Sequence, residues 1–434
     1  MKIRRIKIDQ LFDIFDYDIP FGEEESVKIL TGPNGYGKTM VLNIVFNLFN
    51  KNFLFFQRLI FEKIEIFLED SICIQISRKT ENEKADLSII FVQDGLEIEK
   101  IEVSRKIDAE FELIAKKYLP ISRLAGEDQY MDHRDGEIYS LEEIIQKYSE
   151  QLPVDFAKKL VAIKSDRVNV ILDSINVHLI REQRLFRKVK ATERKYRDDR
   201  DETIMTETIQ TYASELKQSI SQYSQRSFIQ SQELDSTFPD RLINEKKLLS
   251  ADEYDRRFNL LKLKQEKLTK FGLYEGTQKL LRYSPEDAKA LLVYLEDLEK
   301  KLGVFDVLLE KLELFTDILN QRRFTFKSIK ISRDKGFYFE TSKNKALSLT
   351  QLSSGEQHEV VLLYELIFNA KQDVLVLVDE PEISLHVTWQ KKFLDDLLRI
   401  IKIQNFHVLI ATHSPSIIND RWDLVYNLQK ATKQ

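Results

Sequence analysis

One cysteine, Cys73, is all that this 434-residue sequence contains. An intrachain disulfide is therefore impossible, and so are a CxxC metal pair and a redox dithiol. Cys73 lies in "SICIQIS", whose alternation predicts a strand with the thiol as a buried apolar residue. Glycine and proline are scarce, at 12 and 8, which excludes a long flexible linker or a low-complexity tract. No apolar run approaches the roughly 18 residues of a membrane span. The opening "MKIRRIKIDQLFDIFDYDIPF" lacks the apolar core of a signal peptide, so a reducing cytoplasm is the expected compartment. An excess of one charge is missing too. With 66 basic and 71 acidic residues the net charge is -5, and nothing global marks a nucleic-acid coat or a membrane-surface protein.

What is present is patterned. "IRRIKID" alternates, and "VKILTG" is a short apolar run ending in a turn. After "GPNGYGKT", the stretch "MVLNIVFNLFN" is apolar almost all round and predicts a buried helix. Residues 61–104 alternate in four runs, an antiparallel meander. "INVHLIREQRL" predicts a strand ending at Arg181 to Leu185. From 186 to 320 the chain reads as almost all helix. Met205, Ile209, Tyr212, Leu216, Ile220 and Tyr223 keep 3/4 spacing. Ser250 and Glu253 form a capping box for a helix that stops near Gly272. Ser284 caps a longer helix with Pro285 first, carrying Leu291 through Leu312 at 3/4 spacing. Only that run reaches three heptads, so a short bundle or stubby hairpin is expected rather than a long arm. Strands return at "FTFKSIKIS" and "GFYFETS". The last hundred residues alternate strand and helix, with "VLVLVDE" and "FHVLIATHSP" as buried parallel strands. Length alone suggests about three domains, yet the two ends read as halves of one domain interrupted by a helical insertion.

"GPNGYGKT" fits GxxxxGK[ST] in full, with a strand before and a helix after. Gly32, Gly35 and Gly37 let backbone N–H groups curl around phosphates, with Asn34 inside the loop. Lys38 would reach the outer phosphates, and the Thr39 hydroxyl would hold Mg²⁺. "VLVLVDEPE" delivers Asp379 to the carboxyl end of a strand, beside that metal. Glu380 follows, placed as general base for water. "VLIATHSP" brings His413 to the end of another core strand, within reach of a γ-phosphate. "LSSGE" adds a serine-glycine turn at a helix N-terminus, itself an anion site. One nucleotide has no use for two cradles from one subunit. Ser353, Ser354, Gly355 and Glu356 are therefore expected to face the nucleotide of another copy.

Together these motifs resemble the ABC-type ATPase family: Walker A at 32–39, the signature at 352–356, Walker B at 374–380 and the switch histidine His413. "DEPEISLH" and "THSP" look like the branch of RecF, the SMC-like repair ATPases and the overcoming-lysogenisation-defect ATPases. The resemblance implies an α/β fold, an ABC-type head with a mixed sheet and an antiparallel meander, plus an inserted helical or short coiled-coil domain. The head would span 1–185 and 321–434, with the insertion at 186–320. It implies ATP and Mg²⁺ as ligands, ATP hydrolysis as the reaction, and a dimer or higher homo-oligomer. Gln183 in "REQRL" is the nearest match to the family's metal- and water-contacting glutamine. Glu382 and His386 would lie near the region where two subunits meet. The adenine-stacking aromatic has no clear match.

The stretch after His413 is too short for the nuclease of the overcoming-lysogenisation-defect type, and one cysteine excludes a zinc hook. What remains resembles stand-alone ATPases of bacterial anti-phage systems, whose nuclease or toxin works in trans. The runs "QSQELDSTFPDRLI" and "LSSGEQHEVVLLYELIF" are most similar to the AriA-type ATPases of PARIS systems, with Septu-like systems a near competitor. That resemblance implies an effector such as a TOPRIM nuclease and a phage-encoded trigger. Between Arg181 and Arg200 stand nine Lys/Arg against four acids. Such a stripe could track nucleic acid, bind an acidic partner or form a solvated helix face. A RecF-like ATPase on duplex DNA and a scaffold that binds ATP without turnover are the rival readings.

Overall fold

The computed structural model describes residues 1–23, 25–81, 84–103, 119, 121–124, 129–133, 136–140, 165–190, 203–274, 282–321, 324, 326–383 and 385–431. They form two compact units. The first comprises Met1–Arg181, Lys371–Glu382 and Asn405–Gln434; the second comprises Glu182–Ala370 and Ile383–Gln404.

In the first unit, β1 (Ile3–Leu11), β2 (Phe15–Pro20), β4 (Lys63–Leu68), β5 (Ile72–Glu81), β6 (Lys84–Gln93) and β7 (Leu96–Val103) form an antiparallel sheet in the order β2-β1-β4-β5-β6-β7. Its alternating sequences predicted this, because one face of such a sheet is buried and the other is not. β3 (Val27–Thr31), β11 (Asn176–Ile180), β17 (Val374–Asp379), β18 (His407–Thr412) and β19 (Val425–Asn427) form a second sheet, ordered β11-β17-β18-β3-β19, with every pair parallel. All six residues of β17 are buried, as an apolar run without alternation requires. Parallel and antiparallel strands thus occupy separate sheets. β8 (Ile121–Arg123), β9 (Gln129–Asp132) and β10 (Ile138–Ser140) make a small antiparallel sheet.

Helix α1 (Lys38–Phe49) joins the two large sheets into one core. Val41, Leu42, Ile44, Val45 and Leu48 are fully buried, clustered with Ile6, Ile8, Ile64 and Ile74 of the meander and Leu377 and Leu409 of the parallel sheet. Each fully buried aliphatic of this kind contributes roughly 1.5–3 kcal/mol. Cys73 is buried in β5, and burial pushes its thiol up to about 11.

The second unit holds helices at Thr208–Asn244, Ala251–Lys270, Ala288–Gly303 and Asp306–Gln321. Arg241 and the buried carboxylate of Asp297 form an ion pair joining the first helix to the third. The unit extends past 320, taking in β14 (Lys327–Ser332), β15 (Gly336–Thr341) and β16 (Ala346–Leu347) and the helices Ser354–Tyr364 and Val387–Gln404.

Local signals misled at five places. Ser284, expected as a cap, makes no side-chain cap hydrogen bond, and Pro285–Asp287 is a 3₁₀ turn ahead of the helix Ala288–Gly303. The strand "INVHLIREQRL" ends at Ile180, before Arg181. Residues 186–207 are not helical where described: β12 (Phe186–Lys190) pairs antiparallel with β13 (Thr203–Glu207). Met205 lies opposite Lys188 in that ladder, so its four-residue spacing to Ile209 is incidental. The long leucine run breaks at Gly303, a poor helix former, and restarts at Asp306 with an acid in its first turn. Finally, Ser250 Oγ accepts from the Glu253 N–H at 3.3 Å, half of the expected box.

Gly336 has φ +71°, and a Cβ there would stand 1.9 Å from the Ala213 carbonyl oxygen. Gly336→Ala is expected to destabilise the second unit by about 2–4 kcal/mol through backbone strain and overpacking. Thermal unfolding followed by circular dichroism reads this as a lower midpoint; an unchanged midpoint contradicts the packing described.

Candidate functional site

Three neighbouring parallel strands end together in the first unit. Thr31 of β3 pairs with Thr412 of β18, and Ala411 pairs with Asp379 of β17. The segments that leave these strands are Gly32–Thr39, His413–Ser414 and Glu380–Glu382. Carboxyl ends of parallel strands are where α/β sheets gather ligands.

The loop after β3 is shaped by its glycines. Gly35 and Gly37 have φ +89° and +71°, which L side chains rarely adopt. A Cβ on Gly35 would meet nothing within 4 Å, whereas one on Gly37 would stand 3.2 Å from Leu11. Gly37 starts α1 without a side-chain cap, so the helix's first N–H groups face the loop, the arrangement that binds phosphate elsewhere. Pro33, Asn34 and Gly35 are exposed, whereas Lys38 is buried and its ammonium donates to the carbonyls of Gly32 (2.9 Å) and Pro33 (3.2 Å). Beneath the loop, the buried Tyr17 hydroxyl donates to the Tyr36 carbonyl at 2.7 Å, and Phe15 packs on the Tyr36 ring.

Thr39 Oγ1 donates to Asp379 Oδ1 at 3.0 Å, joining residues 340 positions apart. Asp379 is buried. Hydroxyl and carboxylate oxygens are the hard donors that Mg²⁺ takes. Among the described residues no group of three or more His, Cys, Asp or Glu side chains is gathered to hold a metal alone. Mg²⁺ needs no such cage, since one or two protein ligands plus substrate phosphates suffice.

Glu380 has φ +40°, and its N–H donates to the Ala411 carbonyl at 2.9 Å. A left-handed non-glycine at a strand end is strain of about 1–3 kcal/mol, a feature that clusters at functional sites. His413 Nδ1 lies 3.6 Å from Glu380 and 3.1 Å from Glu382. Glu382, expected near the region where two subunits meet, is buried within the chain, with Oε1 accepting from Thr412 Oγ1 and from the N–H groups of His413 and Ser414. Its signal in the sequence was the third acid of "DEPE", which spacing alone did not distinguish from a surface charge.

The second unit carries the remaining predicted residues. Ser353 caps the helix Ser354–Tyr364 in a complete capping box: its Oγ accepts from the Glu356 N–H, and its own N–H donates to Glu356 Oε2. Ser354 is exposed and Gly355 half-buried. Lys327 donates to both Glu356 oxygens, at 2.9 and 2.8 Å. Desolvation raises the Glu356 pKa, but the hydrogen bonds from Lys327 and Ser353 outweigh it and hold the carboxyl below its usual range. Glu356 therefore braces the turn. On the same helix, burial and then Arg184 lower His358 to about 4. Gln183 is exposed in the second unit, and His386 is exposed with Nδ1 2.9 Å from Thr388 Oγ1. Half of the basic stretch 181–200 falls outside the described residues; within the other half Arg184 is buried, so at least that member does not belong to a solvated face.

A family model described as an AAA ATPase domain matches residues 1–418. Among curated proteins none matches. Among solved structures, the chain is similar to an Smc head domain with an extended coiled coil bound to the C-terminal domain of ScpA, from Pyrococcus furiosus, at 13% identity, covering 96% of this chain and 90% of that one with a TM-score of 0.34. The SMC head domain of Thermotoga maritima matches at 10% identity over 98% and 94%, with a TM-score of 0.33. No helix among the described residues is long and apolar enough to cross a membrane.

Tyr17→Phe removes the hydroxyl that holds the Tyr36 carbonyl. A hydrogen bond of this kind is worth about 1 kcal/mol, so nucleotide binding is expected to weaken roughly fivefold with the fold intact. Titration with a fluorescent ATP analogue checks this, and unchanged affinity would show that the loop is ordered without Tyr17.

Proposed function

The chain belongs to the AAA ATPase domain family, and from that premise we propose that it is an ABC-type ATPase that binds ATP with Mg²⁺, hydrolyses it, and completes each site with a second copy of itself. The observation that carries the reading is the Thr39–Asp379 hydrogen bond, which draws the phosphate loop and the acidic strand end to one place.

In this reading the N–H groups of the Gly32–Lys38 loop and the start of α1 bind the phosphates. Lys38 leaves the loop carbonyls to meet the outer phosphate oxygens. Thr39 and Asp379 would hold Mg²⁺, whose charge would offset the negative charge of the phosphates. Glu380 orients the attacking water and takes its proton. His413 touches the terminal phosphate. Ser353, Ser354 and Gly355 present a helix N-terminus to the nucleotide of the neighbouring copy, with Glu356 bracing the turn from behind.

The output we propose is mechanical. The ATP-bound assembly acts as a cytoplasmic sensor or scaffold that holds a separate effector, such as a TOPRIM nuclease, in anti-phage defence. It releases that effector when a phage component is met. Support for this finer part is the likeness of "QSQELDSTFPDRLI" and "LSSGEQHEVVLLYELIF" to AriA-type sequences.

Glu380→Gln is expected to lower ATP turnover by roughly 10²–10⁴-fold while ATP stays bound, so the variant accumulates as an ATP-dependent oligomer on size-exclusion chromatography. Wild-type turnover by Glu380→Gln would remove the proposed base. Ser354→Arg is expected to abolish that ATP-dependent assembly, and its retention would remove the shared site. Capture of the chain from its native host should bring down a nuclease or toxin that dissociates when a phage component is added.

A further inference from the structure

The turn that carries His413 is wound around one oxygen of a buried carboxylate. Glu382 Oε1 accepts from Thr412 Oγ1 at 2.6 Å, from the His413 N–H at 2.9 Å and from the Ser414 N–H at 3.2 Å. Thr412 is fully buried, and its Oγ1 also accepts from the Ser414 N–H at 3.0 Å. The imidazole folds back onto the same atom, with Nδ1 3.1 Å from Oε1. Burying a carboxylate is costly unless donors meet it, and here three donors and an imidazole gather at Oε1.

Resting on the ATPase reading above, we propose that Glu382 is a positioning residue that fixes which nitrogen of His413 carries the proton and which one meets the nucleotide. A carboxylate oxygen only accepts, so the ring nitrogen facing it is the one bearing hydrogen. Nδ1 also has Glu380 Oε1 at 3.6 Å, a second carboxylate on the same side though beyond hydrogen-bond distance. Nε2 is thereby left for the ligand, on a side chain that is 47% exposed.

The two carboxylates divide their work by burial. Glu382 is 5% exposed at its side chain and Glu380 18%. The deeper one anchors the turn, and the shallower one is placed for water. Glu382 also ties the His413 turn to the segment carrying Asp379 and Glu380, so that metal ligand, base and histidine keep one spacing. A bare turn cap would serve the backbone N–H groups alone. The imidazole on the same oxygen makes the carboxylate a second layer behind the histidine, as carboxylates behind metal-bound histidines are.

The test uses the full chain with Mg²⁺ and ATP. Glu382→Ala is expected to lower kcat by roughly ten- to hundredfold, as loss of such a carboxylate does elsewhere, with KM little changed. Glu382→Gln keeps an acceptor oxygen at the same place and is expected to restore most of kcat. The double variant Glu382→Ala/His413→Ala should be no slower than the slower single variant, because both changes break one unit. Independent, multiplying effects would overturn the proposal, as would wild-type kcat in Glu382→Ala. Should Glu382→Ala fail to fold, ¹⁵N spectra of the wild-type histidines in alkaline buffer decide, with His413 assigned from His413→Asn. A proton on Nδ1 supports the assignment, and a proton on Nε2 overturns it. Failure of the ATPase reading is distinguishable, since His413→Ala and Glu380→Gln would then hydrolyse ATP as fast as the wild type.

Discussion

The parallel register of β3, β18 and β17 is the constraint on which the site depends. Pairing Thr31 with Thr412 and Ala411 with Asp379 brings three chain segments, far apart in sequence, to one edge. Nothing local could do this. Parallel pairing needs crossovers, and the crossovers here are α1, the helix Val387–Gln404 and much of the remaining chain. Shifting β17 by one residue would turn Asp379 to the opposite face. The hydrogen bond from Thr39 to Asp379 would then have no partner, and the strained Glu380 no Ala411 carbonyl to hold it.

Physical chemistry also separates the two kinds of helix start in this molecule. α1 begins at a glycine without a capping side chain, leaving its first N–H groups for an anion. The helix at Ser354 begins with a reciprocal box in which Ser353 and Glu356 satisfy each other, reinforced by Lys327. The first start is open and the second is rigidly shaped. A rigid, serine-lined start is suited to being offered to a neighbour, because its geometry does not depend on the ligand.

Legibility in the sequence followed the range of the interaction. The phosphate loop, the meander and the apolar strands were readable because their signals are local: glycines that need positive φ, period-two alternation, unbroken apolar runs. Met205 was misplaced because four-residue spacing to Ile209 is also what chance supplies, and only the pairing with β12 decides. The leucine run through Gly303 read as one helix because spacing survives a break that the backbone does not. The contact of Glu382 with the His413 turn was not legible because nothing in "DEPE" says that its third acid folds back under "THSP". That contact is set by the β17–β18 pairing and joins residues 31 apart in sequence.

The claim at the centre is that one nucleotide is enclosed by two copies, the first giving its glycine loop and the second its serine turn. Mixing two defective variants, Lys38→Ala and Ser354→Arg, tests it most directly. Each alone should be inactive, and the mixture should recover part of the ATPase rate, since a mixed pair contains one site with both halves intact. A Ser354→Arg chain that hydrolyses ATP at the wild-type rate, or a mixture that stays inactive while forming mixed assemblies, would contradict it.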